Sequence, residues 1–213
     1  LMKKTISYGS TSAMQQVCLQ IGKTIIQAVV NTQGVSVMAA FTAVNRVDDF
    51  AYIPQQNIGH AMTTFIAQNK GAGKKERIRR GFQSGIGIEL VYGLILLVLM
   101  YFGAEKIMGL FTSQEDAQVV ALGRSYLHLV SWMYILPAIT NGIQGFFRGM
   151  GDLKVTLYST FMNMAGRVLA VIVMFLVFHL GFVSLAWANL IGWIVMLLFE
   201  IPLLMRQLKE LRK

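Results

Sequence analysis

The chain has 213 residues, 55% of them hydrophobic and 14% charged, with a net charge of +9 and a mean hydropathy of +0.56. That balance is too apolar for an ordinary soluble domain and implies an all-α integral membrane protein. The single Cys18 excludes an intramolecular disulfide and a cysteine-based metal site, and no base-stacking or groove-reading motif accompanies the basic excess, so no nucleic-acid partner is expected.

A membrane-crossing helix needs about 20 mostly apolar residues. The chain divides into six such segments, at approximately 6–30, 36–68, 82–103, 117–147, 154–178 and 181–205, within a single domain spanning 1–213. The first carries Lys3 and Lys4 in front but is studded with glutamines, unlike a cleavable signal. At helical spacing, Gln16, Gln20, Lys23, Gln27 and Asn31 share one face of it, with Ile21, Ile25 and Val29 roughly opposite.

The second segment repeats the pattern. Asn45, Asp49, Tyr52, Gln56, His60 and Thr63 form a polar stripe, and Val47, Phe50, Ala51, Pro54, Ile58, Ala61 and Phe65 form the far side. Arg46 and Asp48 add charge to the same stretch, "TAVNRVDDFAYIPQQ". On the fifth segment Thr156, Thr160, Asn163 and Arg167 align in the same way. Polar stripes on three helices are read as walls of a cavity, because charge within a bilayer is costly unless it meets water, partners or cargo; the alternative is an interhelical hydrogen-bond network with no passage. The expected pairings are Arg46 with Asp49, Lys23 with Asp49 or Asp48, and Arg167 with Glu89 or an aspartate. Pro54 and Pro137 fall inside over-long segments and favour kinks.

Most of the 19 basic residues fall on one side of these spans: Lys70, Lys74, Lys75, Arg77, Arg79 and Arg80 after the second, Arg148 and Lys154 at the fourth-to-fifth turn, and Lys3, Lys4, Arg206, Lys209, Arg212 and Lys213 at the termini. The opposite connections hold Glu105, Glu115 and Asp116 against Lys106. The positive-inside rule then puts both termini in the cytoplasm, with membrane lipids, some of them anionic, as contacts.

Catalytic motifs are missing. "NKGAGKKE" lacks the first glycine and the final Ser or Thr of a phosphate-binding loop, "GMGDLK" lacks the third glycine of a dinucleotide fingerprint, and His60, His128 and His179 are isolated. Neither an enzyme nor a bound cofactor or metal is expected, and any transport would run on an ion gradient.

Two stretches, "AAFTAVNRVDDFAYIPQQNIGHAMTTFIAQNKGAGKKERIRRG" and "NGIQGFFRGMGDLKVTLYSTFMN", resemble the signature regions in the C-terminal half of multidrug and toxic compound extrusion (MATE) transporters. The first resembles a helix leading into a "GQNxGAG"-like cytoplasmic turn, carried by Gln68, Asn69, Gly71, Ala72 and Gly73; the second resembles a "QGxxRGxGD" turn, carried by Gln144, Gly145, Arg148, Gly149, Gly151 and Asp152. The resemblance implies one six-helix lobe of a twelve-helix, two-lobed exporter of cationic or amphiphilic compounds across the cytoplasmic membrane, coupled to H⁺ or Na⁺. The partner is then the N-terminal lobe of the same transporter, or a second copy of this chain. The start at Leu1–Met2 reads as a fragment or an alternative start in a longer frame.

Sodium-coupled members carry an acid on the first helix of this lobe and an aspartate on its fourth. Here the first offers Gln15, Gln16, Gln20 and Gln27, and the fourth has no acid within the membrane. The chain is closer to the branch of the DNA-damage-inducible transporters, whose coupling aspartate belongs to the other lobe. The turn glycines Gly71, Gly73, Gly149 and Gly151 are read as hinges or anchors, with Asp152 capping the next helix or holding Arg148. A lipid-linked-precursor flippase of the same superfamily, for which Lys23, Arg46, Arg124 and Arg167 speak, and a non-transporting six-helix remnant are the alternatives.

Overall fold

Apolar runs in a bilayer have to satisfy their backbone groups internally, and a helix does so within one segment. The computed structural model describes residues 2–111 and 117–212; Leu1, Glu115, Asp116 and Lys213 lie outside the described residues, as do the side chains of Lys3, Lys4 and Arg212. Among the described residues every regular element is helical: α1 (Met2–Asn31), α2 (Val35–Gly71), α3 (Lys75–Phe111), α4 (Ala117–Ser131), a 3-10 turn (Trp132–Tyr134), α5 (Ile135–Gly149), α6 (Leu153–Ile172), a π turn (Val173–Val177) and α7 (Ser184–Arg212). With α4 and α5 read as one interrupted span, these are the six expected crossings.

Pro54 and Pro137, the two prolines expected to kink their helices, act differently. Pro54 leaves α2 unbroken, whereas Pro137 follows the 3-10 turn within the first helical turn of α5, where its missing N–H is best tolerated. Four stretches, Lys75–Phe111, Ala117–Gly149, Leu153–Phe175 and Ser184–Leu211, are long and apolar enough to cross a membrane by length and composition alone. The helices α1 and α2, at 30 and 37 residues, are long enough but carry the polar stripes that lower their hydropathy.

The basic run after α2 is mostly helix, not loop. Only Ala72–Lys74 separates α2 from α3, and Glu76 on the first turn of α3 is bonded by Arg79 (2.9 Å) and by Arg80 (2.9 Å), at i,i+3 and i,i+4. This pairing neutralises part of the basic cluster and lets the helix start early. Lys70, at the end of α2, donates to the Met150 carbonyl, so the α2–α3 and α5–α6 turns meet at one end of the bundle. At that end Met62, Ile66, Ile78, Phe82, Ile143, Phe146, Phe147, Leu197 and Leu204 form one core cluster from α2, α3, α5 and α7. A larger cluster fills the other half around Val44, Val47, Met100, Leu127 and Tyr134. The outer face of α3, with Ile88, Val91, Leu94, Ile95, Val98, Leu99 and Phe102 exposed, has the chemistry of a lipid-facing surface.

The tightest crossing joins α2 to α5. A Cβ on Gly145 would lie 2.6 Å from the Gly59 carbonyl oxygen, and one on Gly149 would lie 2.7 Å from Ile66 Cβ and 2.8 Å from the Thr63 oxygen. Thr63 Oγ1 fills the junction, donating to the Gly59 carbonyl (2.9 Å) or the Gly145 carbonyl (3.1 Å). Small residues here let backbones touch, the usual basis of membrane helix association. Gly145→Ala is expected to destabilise the protein by about 2–3 kcal/mol or more, since backbone would have to move. Gly71→Ala, with nothing within 4 Å of the added methyl, should be close to neutral; thermal unfolding of the purified variants in detergent checks both.

Glu76 lies before the membrane-spanning part of α3, and hydrogen bonds from Arg79, then Arg80, hold its carboxyl below the ordinary value. A carboxylate with a folded pKa below its unfolded one contributes stability above the unfolded value and loses it as pH falls through the folded one. Acidification through the carboxylate range should therefore loosen the first turn of α3 in the wild type. Glu76→Gln should show lower amide protection factors at residues 75–80 already at neutral pH, with little further change in protection on acidification once intrinsic exchange rates are divided out.

Candidate functional site: the polar face of α1 and α2

One residue apart on a helix is 100° around it, and Asp48 and Asp49 show the consequence. Asp49 projects from the lobe and meets Lys23 of α1, Oδ1 to Nζ 3.7 Å, with both side chains more than half exposed. Asp48 turns inward and accepts a 2.5 Å hydrogen bond from the Tyr134 hydroxyl in the 3-10 turn. Gln55, fully buried one helical repeat further on, donates to the Tyr134 carbonyl at 3.4 Å, and the Tyr52 ring packs on Tyr134 and Trp193 at 5.8 and 6.5 Å. The α2 helix is thus fastened to the broken span by polar contacts on its inner side and leaves Asp49 and Gln56 exposed on its outer side, with Asn45 half-buried.

On α1, Gln16, Gln20 and Lys23 are exposed and Gln27 is half-buried, donating to Asn31 Oδ1 at 2.7 Å. Between α1 and α2 lies a groove of about 460 Å³, walled by Gln27, Asn31, Thr42 and Arg46 and by apolar groups including Met38 and Phe111. That volume suits a drug-sized molecule. The expected Arg46–Asp49 pair does not form: among the described residues Asp49 pairs with Lys23, and Arg46 lines the groove.

The far side of α2 is not uniformly turned to lipid. Val47 and Ala51 are buried in the core, while Phe50 and Phe65 are exposed. The fifth-segment stripe also departs from the single-cavity expectation. Thr156, Thr160 and Asn163 of α6 are buried inside the lobe, and Thr160 Oγ1 accepts from Gln15 Nε2 at 2.7 Å. No α6 residue lines the groove. Arg167 is half-buried with its Nε unpartnered, and Glu89, its expected partner, is fully buried on α3 with both oxygens unpartnered.

The turns divide by physics. Gly73 and Gly151 have φ of 68° and 75° and close their turns in the left-handed region. Gly149 is helical and serves the close crossing, so it is a packing position and not a hinge. Asn69 is buried and donates to the Phe65 carbonyl at 2.8 Å, while Gln68 is exposed. Asp152 sits at the N-cap of α6 without a side-chain cap bond. Nor does it hold Arg148, which donates instead to Gln144 Oε1 at 2.9 Å.

Several polar residues central to the packing are not in the predicted stripes: Gln15, Gln55, Tyr134 and the fully buried Glu200. Glu200 was visible as the lone acid in the run "MLLFEIPLL", and Gln15 only as the neighbour of Gln16.

The described lobe is helical throughout its regular elements and leaves one polar, charged face open, with Lys23, Asp49 and Gln56 exposed on it. The MatE family model matches residues 12–169, and the chain belongs to that family. It is 24% identical over 153 residues to the probable multidrug resistance protein YoeA of Bacillus subtilis, covering 72% of this chain and 33% of the relative. It is 28% identical to the probable multidrug resistance protein NorM of Rhizobium meliloti, covering 78% and 36%. Among solved structures, a MATE protein crystallised in complex with MaL6 superposes with a TM-score of 0.91 at 20% identity, covering 99% of this chain and 48% of that one. A MOP superfamily transporter from Pyrococcus furiosus gives 0.89 at 16% identity, covering 97% and 45%. The fold is that of one lobe, and the chain spans about a third of the length of these curated relatives.

Tyr134→Phe removes the donor to a buried carboxylate and is expected to cost about 1–3 kcal/mol, read as a lowered thermal midpoint. Tyr52→Phe, which keeps the ring contacts, should cost less than about 1 kcal/mol.

Proposed function

We propose that this chain is the C-terminal lobe of an exporter that moves cationic or amphiphilic compounds out across the cytoplasmic membrane in exchange for H⁺ or Na⁺, with both termini cytoplasmic. The observation that carries this reading is the open face holding Lys23, Arg46, Asp49 and Gln56 beside a groove of about 460 Å³. Charged groups at membrane depth need water, a partner or cargo, and a facing lobe enclosing a watered cleft supplies all three. The names of the relatives, multidrug resistance proteins, agree with it.

Arg46, which lines the groove, and the exposed Lys23 favour a second reading, a flippase for an acidic, lipid-linked precursor, because both are cations suited to an anionic headgroup. A dimer of this chain would be the other way to close the face, with the six-helix remnant as its silent counterpart. A chromosomal C-terminal tag separates a two-lobed transporter from a six-helix dimer or remnant: the exporter reading expects a native product about twice the mass of this chain, and a product of this chain's own mass would sink it.

Two further outcomes are expected. In a background lacking Cys18, cysteines at 49 and 56 should react with an aqueous thiol reagent, whereas cysteines at 48 and 55 should not; equal labelling would refute the cleft assignment. In an efflux-deficient strain, expression of the native protein should lower accumulation of a cationic fluorescent dye, and Asp49→Asn should reduce that effect several-fold. Unchanged dye accumulation on expression, with the protein present in the membrane, would reject dye export.

A further inference from the structure

A buried polar cluster joins α1, α5, α6 and α7 at the end of the bundle that holds the two signature turns. Gln15 Nε2 donates to Thr160 Oγ1 (2.7 Å) and lies 3.3 Å from Gln144 Oε1, Gln144 Nε2 donates to Thr160 Oγ1 (3.4 Å), and Arg148 Nη2 donates to Gln144 Oε1 (2.9 Å). Glu200 of α7 completes the cluster. Its side chain is 0% exposed, and among the described residues neither carboxylate oxygen has a well-formed hydrogen bond.

The surroundings of Glu200 decide what it can do. Ser159 of α6 and Gln144 of α5 are its polar neighbours; the Ser159 hydroxyl donates to the Thr156 carbonyl at 3.1 Å, while Gln144 accepts from Arg148 through Oε1 and donates one of its two amide N–H groups to Thr160. The charged group facing it is Arg148 of α5, half-buried and yet not within ion-pair distance among the described residues. On α7 the residues three before and four after it, Leu197 and Leu204, belong to the apolar cluster that also holds Ile78 and Phe82 of α3. His60 of α2 and Lys70 lie beyond Arg148, the first facing its guanidinium and the second bound to the Met150 carbonyl.

A carboxylate and a guanidinium in one cluster that do not pair call for an explanation. An ionised carboxylate without partners in a dry interior costs several kcal/mol, whereas the neutral acid costs far less. Ionised, the same group would be stabilised only by drawing in the nearest cation, and Arg148 reaches it by giving up Gln144.

We propose that Glu200 is a proton-binding site and that proton loss recruits Arg148 into an ion pair clamping α7 to α5. The Glu200 O–H bond breaks, the proton passes to water at the half-buried Arg148 end, and the guanidinium moves from Gln144 Oε1 to the carboxylate. Gln144 is then free of its cation, which alters its hold on Gln15. The helix α1 packs chiefly on α6 and only lightly on α2, so the Gln15 contacts are a main polar tether of α1 to the bundle. Proton occupancy at Glu200 thereby sets how α1 is held. This site is separate from the groove and does not depend on the transport reading.

The test uses the native protein reconstituted in lipid. Infrared difference spectra across a pH titration should contain a protonated-carboxyl stretch that Glu200→Gln removes, and Glu200→Asp, which keeps the acid, retains it if the Gln variant fails to insert. Spin labels at Val17 on α1 and Leu198 on α7, both well exposed, should report a pH-dependent distance change that is lost in Glu200→Gln. In Arg148→Gln the carboxyl band should persist while the distance change disappears. An identical carboxyl spectrum in wild type and Glu200→Gln, or a distance change that survives both substitutions, overturns the proposal.

Discussion

Backbone contact between α2 and α5 sets the geometry of the lobe. Where Gly59 meets Gly145 and Thr63 bridges them, the two helices come closer than side chains would allow, and dispersion contacts become dense where the hydrophobic effect cannot drive association. The consequences run both ways along the helices. Towards one end, the crossing brings Ile66 under Gly149 and Lys70 onto the Met150 carbonyl, so the two signature turns pack as one unit. Towards the other, it sets the inner face of α2 against the 3-10 turn, where Tyr134 binds Asp48 and Gln55.

Fastening the inner face of α2 in this way makes its outer face available. Asp48 and Gln55 carry the structural duty, and their neighbours Asp49 and Gln56 are left open. A helix packed by one side only leaves a stripe of adjacent residues exposed on its other side. The groove between α1 and α2 and the Lys23–Asp49 pair lie along that stripe. The same logic explains why α1 is polar yet long: it is held to α6 by Gln15 and by the close approach of Gly22 to Met164, and both of its remaining sides are exposed.

Electrostatics separates the two ends of the bundle. Where the turns meet, exposed basic residues are partly compensated by the Glu76 fork, and at the other end Arg124 pairs with Glu105 at 3.0 Å. These exposed pairs contribute little to stability individually. The buried groups matter more, because an unpartnered carboxylate such as Glu200 has no inexpensive ionised state without rearrangement. A lobe that keeps such a group has a response to protons built into its packing.

Six long helical runs, four of them strongly apolar, their short Gly-containing turns and the lopsided distribution of lysine and arginine were determined by the sequence, because length, periodicity and charge are local properties of the chain. The turn roles of Gly73 and Gly151 were legible for the same reason, and their positive φ values agree. Only the tertiary structure decided which member of each adjacent pair, Asp48 or Asp49, Gln15 or Gln16, Gln55 or Gln56, points inward. A rotation of 100° between neighbours separates the core from the exposed face, and polar stripes look alike from either side. It also decided that, among the described residues, Arg46 and Arg167 form no salt bridge and Glu200 and Arg148 do not pair, since distances between helices depend on crossings such as Gly59 with Gly145, which one segment alone does not encode.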